Sequence, residues 1–141
     1  MLTITRTYPV PPDRVFDAWT RPEQFARWFG TEDVDVPRNG VTMDVRPGGR
    51  WTFSMQRPNG ETASWGGQYA EVQRPKRLAF TIRSGSGIGG VESILVTFTA
   101  VGSKTRVNFA HSATDVPDDV VDRRAEQFTY YFDALGRLLM A

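Results

Sequence analysis

Hydrophobic and polar positions along the chain follow two periods, and the change between them marks the elements. Residues 2–8 alternate with a period of two, which predicts a strand. Residues 12–19 and 20–29 instead carry apolar side chains three and four positions apart, which predicts two short helices. The period of two then returns in six further segments, and these predict strands at 41–45, 51–56, 62–73, 77–83, 91–100 and 105–112.

Local signals mark the start of both short helices. Pro12 suits a first helical position, where its missing N–H has no intrahelical partner to lose, and Asp13 suits the positive end of the helix. Thr20 precedes Glu23 by three residues, the spacing of a capping box in which the threonine hydroxyl accepts from the backbone N–H of Glu23. We therefore expect one helix from Pro12 and a second from Thr20 that ends at Gly30.

The strongest periodic signal lies near the C-terminal end. Six apolar residues repeat at intervals of four and three behind a proline: Val121, Ala125, Phe128, Phe132, Leu135 and Leu139. A helix with one apolar face needs a surface to cover, and the preceding strands form a sheet with an apolar face of its own. The order predicts a single α+β domain over residues 1–141, with about seven antiparallel strands and a long C-terminal helix.

Composition narrows the classes of function. Seventeen basic and 16 acidic residues are scattered along the chain, so neither nucleic acid nor an anionic membrane is favoured as a partner. The absence of cysteine fits a reducing compartment, and no apolar stretch approaches the ~18 residues that membrane insertion requires. We expect a cytoplasmic, bacterial protein, and we attribute the excess of arginine over lysine to a GC-rich genome.

Three segments carry a resemblance to a known family. They are residues 11–20 (PPDRVFDAWT), 25–30 (FARWFG) and 46–53 (RPGGRWTF), and similarity extends to the closing 135–139. The chain resembles the Hsp90-ATPase-activator-homologue branch of the START/Bet v 1-like superfamily over essentially its whole length. This resemblance implies a helix-grip fold, in which an incomplete curved sheet wraps around the C-terminal helix and two short helices follow the first strand. In relatives an internal cavity holds apolar ligands.

The same resemblance bears on partners. Eukaryotic activators of Hsp90 carry an additional N-terminal domain that helps to grip the chaperone, and 141 residues leave no room for one. We therefore do not expect an Hsp90 interaction from the family name alone. A small apolar ligand is the expected partner, and a homodimer is left open.

Large apolar side chains supply the predicted cavity lining. Alternation and helical spacing direct them toward the space between sheet and helix, and the predicted lining is Trp51, Phe53, Met55, Trp65, Tyr69, Phe80, Phe98, Phe109, His111, Phe128, Tyr131, Phe132 and Leu135. Our main hypothesis is the binding of a small hydrophobic or amphipathic molecule there, with no cofactor and no metal. The alternative is that these side chains fill the core completely.

Polar residues within the predicted sheet are candidate anchors for such a ligand: Arg50, Tyr69, Glu71, Glu92 and His111. Sequence does not tell which of them point inward, because one bulge reverses a face of a strand. The chain has a single histidine, His111, which as a general base would need a partner that fixes its tautomer. A zinc site is not favoured, since one imidazole and no thiolate leave only carboxylates as further ligands.

Two other functions stay open. An enzyme resembling polyketide cyclases or dehydratases would use the same cavity, with His111, Tyr69 or Glu71 moving protons. A protein-interaction module would instead use an exposed apolar patch or a sheet edge. A nucleotide hydrolase is disfavoured, because the glycine-rich residues 84–90 lack the lysine and hydroxyl residue that follow a phosphate-binding loop.

Overall fold

A computed structural model describes residues 2–29, 40–56, 60, 62–84, 90–114 and 117–140. Its elements are β1 (Leu2–Tyr8), α1 (Pro12–Thr20), α2 (Pro22–Phe25), β2 (Val41–Met43), β3 (Arg50–Gln56), β4 (Thr62–Gln73), β5 (Arg77–Ser84), β6 (Val91–Val101), β7 (Lys104–Thr114) and α3 (Asp118–Leu139). The second helix, predicted to run to Gly30, ends earlier, at Phe25, and a turn over 26–29 follows it. Gly30 itself and most of the glycine-rich connection, residues 85–89, lie outside the described residues.

The described strands form one antiparallel sheet in the order β1-β7-β6-β5-β4-β3-β2. Every neighbour except the β1–β7 pair is also consecutive in the chain, so hairpins build most of the sheet. The predicted α+β order and helix-grip fold are confirmed. None of the helices in the described part of the chain is long and apolar enough to cross a membrane.

The start of the second helix differs from the prediction. Thr20 is the last residue of α1, and its hydroxyl donates to the carbonyl of Phe16 (2.9 Å) instead of capping α2. Arg21 occupies the N-cap of α2, and its side chain makes no capping hydrogen bond to the helix. The reason is Pro22, which restricts the residue before it to an extended conformation, here φ −106° and ψ 123°, so that the break falls at Arg21. The predicted Thr20 capping box is therefore wrong.

One face of the sheet is apolar, and it faces the helices. On β5, β6 and β7 every second residue is buried, and these inner residues include Leu78, Phe80, Ile82, Ile94, Val96, Phe98, Val107 and Phe109. α3 presents the predicted stripe to them, with the rings of Phe132 and Phe109 5.1 Å apart. The buried hydroxyl of Tyr8 in β1 donates to the carbonyl of Phe132 (3.1 Å) and ties α3 to the sheet edge.

A bulge in β4 decides which side chains reach the interior. Tyr69 pairs with Phe80 and is buried, but Glu71 pairs with the next residue along β5, Ala79, so that β4 contains one extra residue. Simple alternation would place Tyr69 and Glu71 on one face. Because of the bulge, Val72 turns inward instead and Glu71 lies on the outer face of the sheet.

Candidate functional site

Two tryptophans, one in α1 and one in the turn that follows α2, fill the centre of the interior. Trp19 and Trp28 are both essentially inaccessible to solvent, with ring centroids 4.7 Å apart. Trp19 reaches Phe132 at 6.0 Å and Phe109 at 6.3 Å, so it lies between α3 and the sheet. The cavity lining predicted from the sequence included neither tryptophan. The interior beneath α1 is consequently packed with aromatic rings.

The predicted lining residues divide into a packed set and a rim. The packed set is buried and makes ring contacts, such as Trp51 with Phe53 at 5.4 Å and Phe109 with Phe128 at 4.8 Å. Trp65 and Tyr131 are only partly buried and form the rim. Met55 lies in β3, but its side chain is outside the described part of the structure. The remaining packed residues are Tyr69, Phe80, Phe98, Phe132 and Leu135.

Glu92, His111 and Arg124 meet between the sheet and α3, and we call these three residues the ionic cluster. His111 Nε2 lies 2.8 Å from Glu92 Oε1. Arg124 donates from Nε to Glu92 Oε1 (3.0 Å) and from Nη2 to Glu92 Oε2 (3.3 Å), while its Nη1 donates to Gln127 (3.1 Å). Glu92 is only 5% exposed and His111 only 1%. The carboxylate is therefore held from two sides inside an apolar interior.

The local sequence explains this convergence. His111 pairs directly with Ile94 across β6 and β7, and Glu92 lies two residues before Ile94, on the same inner face. Arg124 lies four residues before Phe128 and so shares its face of α3. The ring of Phe128 is 5.5 Å from the imidazole, which brings that face of the helix onto His111.

Electrostatics favour an ionised Glu92. Burial raises the pKa of this carboxyl, but the hydrogen bond from His111 and the charge and hydrogen bonds of Arg124 outweigh burial and hold the pKa below its usual value. An ionised carboxylate only accepts hydrogen bonds, so His111 Nε2 must carry the proton that it shares with Glu92.

Two polar nitrogens, one in the ionic cluster and one beside it, have no hydrogen-bond partner among the described residues. His111 Nδ1 is buried and makes no hydrogen bond to any described residue, and the same holds for Trp65 Nε1. Trp65 adjoins the cluster, because the guanidinium of Arg124 lies 4.9 Å above its ring. Buried polar atoms are rarely left unsatisfied, so these nitrogens are available for a further hydrogen bond; Trp19 Nε1, in the packed centre, is likewise without a described partner.

The other candidate anchors lie elsewhere. Tyr69 packs on Phe80 at 6.1 Å, and burial raises the pKa of its hydroxyl. Glu71 accepts from Arg77 Nε (2.9 Å) on the outer face of the sheet, and Arg50 is exposed. Of the five predicted anchors, the structure therefore brings together Glu92 and His111. Sequence reasoning missed Arg124, although its helical spacing to Phe128 was a usable signal.

A concavity lies on the outer face of the sheet. It has a volume of about 780 Å³ and is open, and its lining residues include Trp51, Phe53 and Trp65 of the predicted cavity lining. Its polar lining residues, which alternate with the buried ones of β3, β4 and β5, include Thr52, Ser64, Gln68, Thr81 and Arg83. At its floor the backbone N–H of Gln68 donates to Thr81 Oγ1 (3.1 Å). We call this concavity the outer groove.

Potential metal ligands are scattered in the described part of the chain. Within residues 2–29, 40–56, 62–84, 90–114 and 117–140, no group of three or more His, Asp or Glu side chains is arranged to hold a metal ion. The ionic cluster contains two potential metal ligands, Glu92 and His111, which are hydrogen-bonded to each other.

Comparisons with known proteins agree with this architecture. A model of the family described as Activator of Hsp90 ATPase homolog 1-like protein matches residues 9–140. Protein CV1439 from Chromobacterium violaceum superposes with a TM-score of 0.88 at 20% identity, covering 99% of this chain and 97% of that chain. Protein NE0264 from Nitrosomonas europaea gives a TM-score of 0.81 at 25% identity, covering 99% and 93%. No curated protein matches the chain.

Proposed function

We propose, since this chain belongs to the Activator of Hsp90 ATPase homolog 1-like family, that it binds a small hydrophobic or amphipathic molecule between the sheet and α3. The ligand lies at the end of the interior that contains the ionic cluster. Its apolar body packs against Phe128, and its polar end reaches His111.

The ionic cluster carries this proposal. A buried ion pair is often no more stabilising than apolar residues of the same volume, so stability alone does not require Glu92 and Arg124 here. The unpartnered His111 Nδ1 is a further cost of about 1–3 kcal/mol, which a well-packed core would avoid. A ligand that supplies the missing hydrogen bond accounts for both features.

The surrounding rings suit an apolar body. Phe128 lies 5.5 Å from the imidazole and 6.0 Å from Tyr131, and Tyr131 in turn lies 5.4 Å from Phe29. Burying ~300 Å² of ligand gains about 7 kcal/mol gross against an association cost of at least ~4 kcal/mol. Affinity from apolar contact alone is then millimolar to micromolar, and the polar contact sets specificity.

A thermal-shift panel of fatty acids, sterols and aromatic polyketides tests the proposal, together with mass spectrometry of the organic extract of freshly purified protein. A ligand that binds only the native state raises the melting temperature with concentration. An empty extract and no shift across the panel would contradict ligand binding.

Two matched variants locate the site. Phe128→Leu alters the wall beside His111, whereas Phe98→Leu alters an equally buried ring that packs on Phe16 (5.4 Å). Both should lose similar stability without ligand. We expect only Phe128→Leu to reduce the ligand-dependent shift. Equal shifts in both variants would place the ligand elsewhere.

One contact favours a second candidate function. Glu92 supplies the tautomer-fixing partner that a basic His111 needs, so proton transfer in a polyketide cyclase or dehydratase reaction fits the same cavity. With a poly-β-ketone substrate, Glu92→Gln should then lower the rate by at least ~10²-fold. Glu71→Gln is the control, because Glu71 lies on the outer face. A rate unchanged by Glu92→Gln would remove this function.

A protein-docking function has less support. The exposed large apolar side chains of the described residues are Val101, Tyr130 and Met140, on different parts of the surface. Single exposed apolar residues are normal for a monomer and do not form a patch.

A further inference from the structure

We infer that the ligand's polar end is a neutral hydrogen-bond donor, a hydroxyl or an N–H group, which donates to His111 Nδ1. This inference rests on the proposed function and names the chemical class of its ligand. The expected ligand is a phenol or an alcohol on an apolar body, in contrast to a fatty acid or a phosphate ester.

The hydrogen bonds of the ionic cluster fix what His111 offers. Its Nε2 is 2.8 Å from Glu92 Oε1, and Arg124 donates to both carboxylate oxygens of Glu92. A neutral imidazole that donates from Nε2 has a lone pair on Nδ1. Nδ1 has no partner among the described residues, so the group it lacks is a donor.

The charges of the cluster argue against an anionic ligand. Glu92 and Arg124 cancel each other, so a neutral imidazole leaves the cluster without net charge. Arg124 already donates from Nε, Nη1 and Nη2, and its guanidinium stacks on Trp65 at 4.9 Å. To accept a hydrogen bond from Nδ1, a carboxylate would need an imidazolium at His111, which places a second positive charge beside Arg124 and buries a second carboxylate beside Glu92.

Three probes of one shape test the donor requirement: 2-naphthol, 2-methoxynaphthalene and 2-naphthoate. Calorimetric titration should give the naphthol an affinity about tenfold higher than that of its methyl ether, because the ether leaves the buried acceptor unpaired. The naphthoate should bind no better than the ether. In His111→Phe, which retains a ring but no acceptor, the difference between naphthol and ether should disappear.

A second measurement needs no ligand and no variant. The chain contains one histidine, so nitrogen NMR of labelled histidine reports on His111 alone. The contact of Nε2 with Glu92, and the lack of a partner for Nδ1 among the described residues, predict a protonated Nε2 and a bare Nδ1. A proton on Nδ1 would overturn the inference, whether the imidazole is the other tautomer or an imidazolium.

The outcomes separate this inference from the proposed function. Equal affinities for naphthol and ether, or tightest binding of the naphthoate, would overturn the donor requirement while leaving a ligand-binding domain. If none of the three probes binds, the NMR tautomer decides on its own. Failure of the whole thermal-shift panel would instead contradict the proposed function.

Discussion

Replacing Arg124 with methionine tests whether the buried carboxylate of Glu92 depends on its guanidinium partner. Arg124→Met retains an unbranched apolar stem but removes both hydrogen bonds to Glu92, at 3.0 and 3.3 Å. Glu92 is then left with His111 as its remaining partner among the described contacts. The variant therefore strands a charge in an apolar interior.

The expected loss of stability follows from burial. Removing one member of a buried pair costs about 3–5 kcal/mol, and the lower end applies because the Arg124 side chain keeps 23% exposure, which lets water approach. For 141 residues the unfolding entropy near the midpoint is about 0.3 kcal/mol/K, so a loss of about 3 kcal/mol lowers the melting temperature by about 10 °C.

Urea unfolding followed by tryptophan fluorescence measures this loss, because Trp19 and Trp28 are fully buried in the native state. Arg123→Met is the matched control. The side chain of Arg123 is 68% exposed, so its ion pair should contribute less than about 0.5 kcal/mol to stability. The double variant Arg124→Met/Glu92→Gln should recover at least half of the loss, since glutamine removes the charge. A double variant as unstable as Arg124→Met would refute the reasoning.

Three further predictions concern stability. Because the folded-state pKa of Glu92 is lowered, its ionised form stabilises the protein above the unfolded pKa, so the stability difference between wild type and Glu92→Gln should shrink from about pH 5 to pH 3 in urea titrations. Gly67→Ala should destabilise the protein by about 1–3 kcal/mol in calorimetry, since a Cβ there would overlap the carbonyl oxygen of Thr81. The control Gly136→Ala, in α3, should be neutral or stabilising by up to about 1 kcal/mol. Tyr8→Phe should lose about 1 kcal/mol through its buried hydroxyl, and an unchanged urea midpoint would contradict this.

Periodicity was sufficient to place the strands and the C-terminal helix, whereas the helix-grip arrangement was implied by the family resemblance. The seven strands and α3 appear where alternation and helical spacing predict them, because one buried face of each element fixes its pattern. The prediction at Thr20 was wrong because it used the capping-box spacing alone. Pro22 restricts the backbone of Arg21 to an extended conformation, and this moves the start of the helix.

The candidate site was predictable only in part. Glu92 and His111 were both recognised as possible anchors, but their mutual contact depends on the register of β6 and β7, which the sequence does not display. The face on which Glu71 lies was left open by the sequence, because the β4 bulge that turns it outward depends on pairing with β5. The central position of Trp19 depends on how α1 packs across the sheet, and local pattern does not determine such packing.

The most direct test of the central claim is a titration of labelled His111 by NMR with the compound that gives the largest thermal shift. We predict that the imidazole nitrogen resonances move in a saturable manner, with the dissociation constant found by calorimetry. A compound that stabilises the protein, leaves His111 unchanged and moves the amide resonance of Gln68 would bind in the outer groove and would contradict the account.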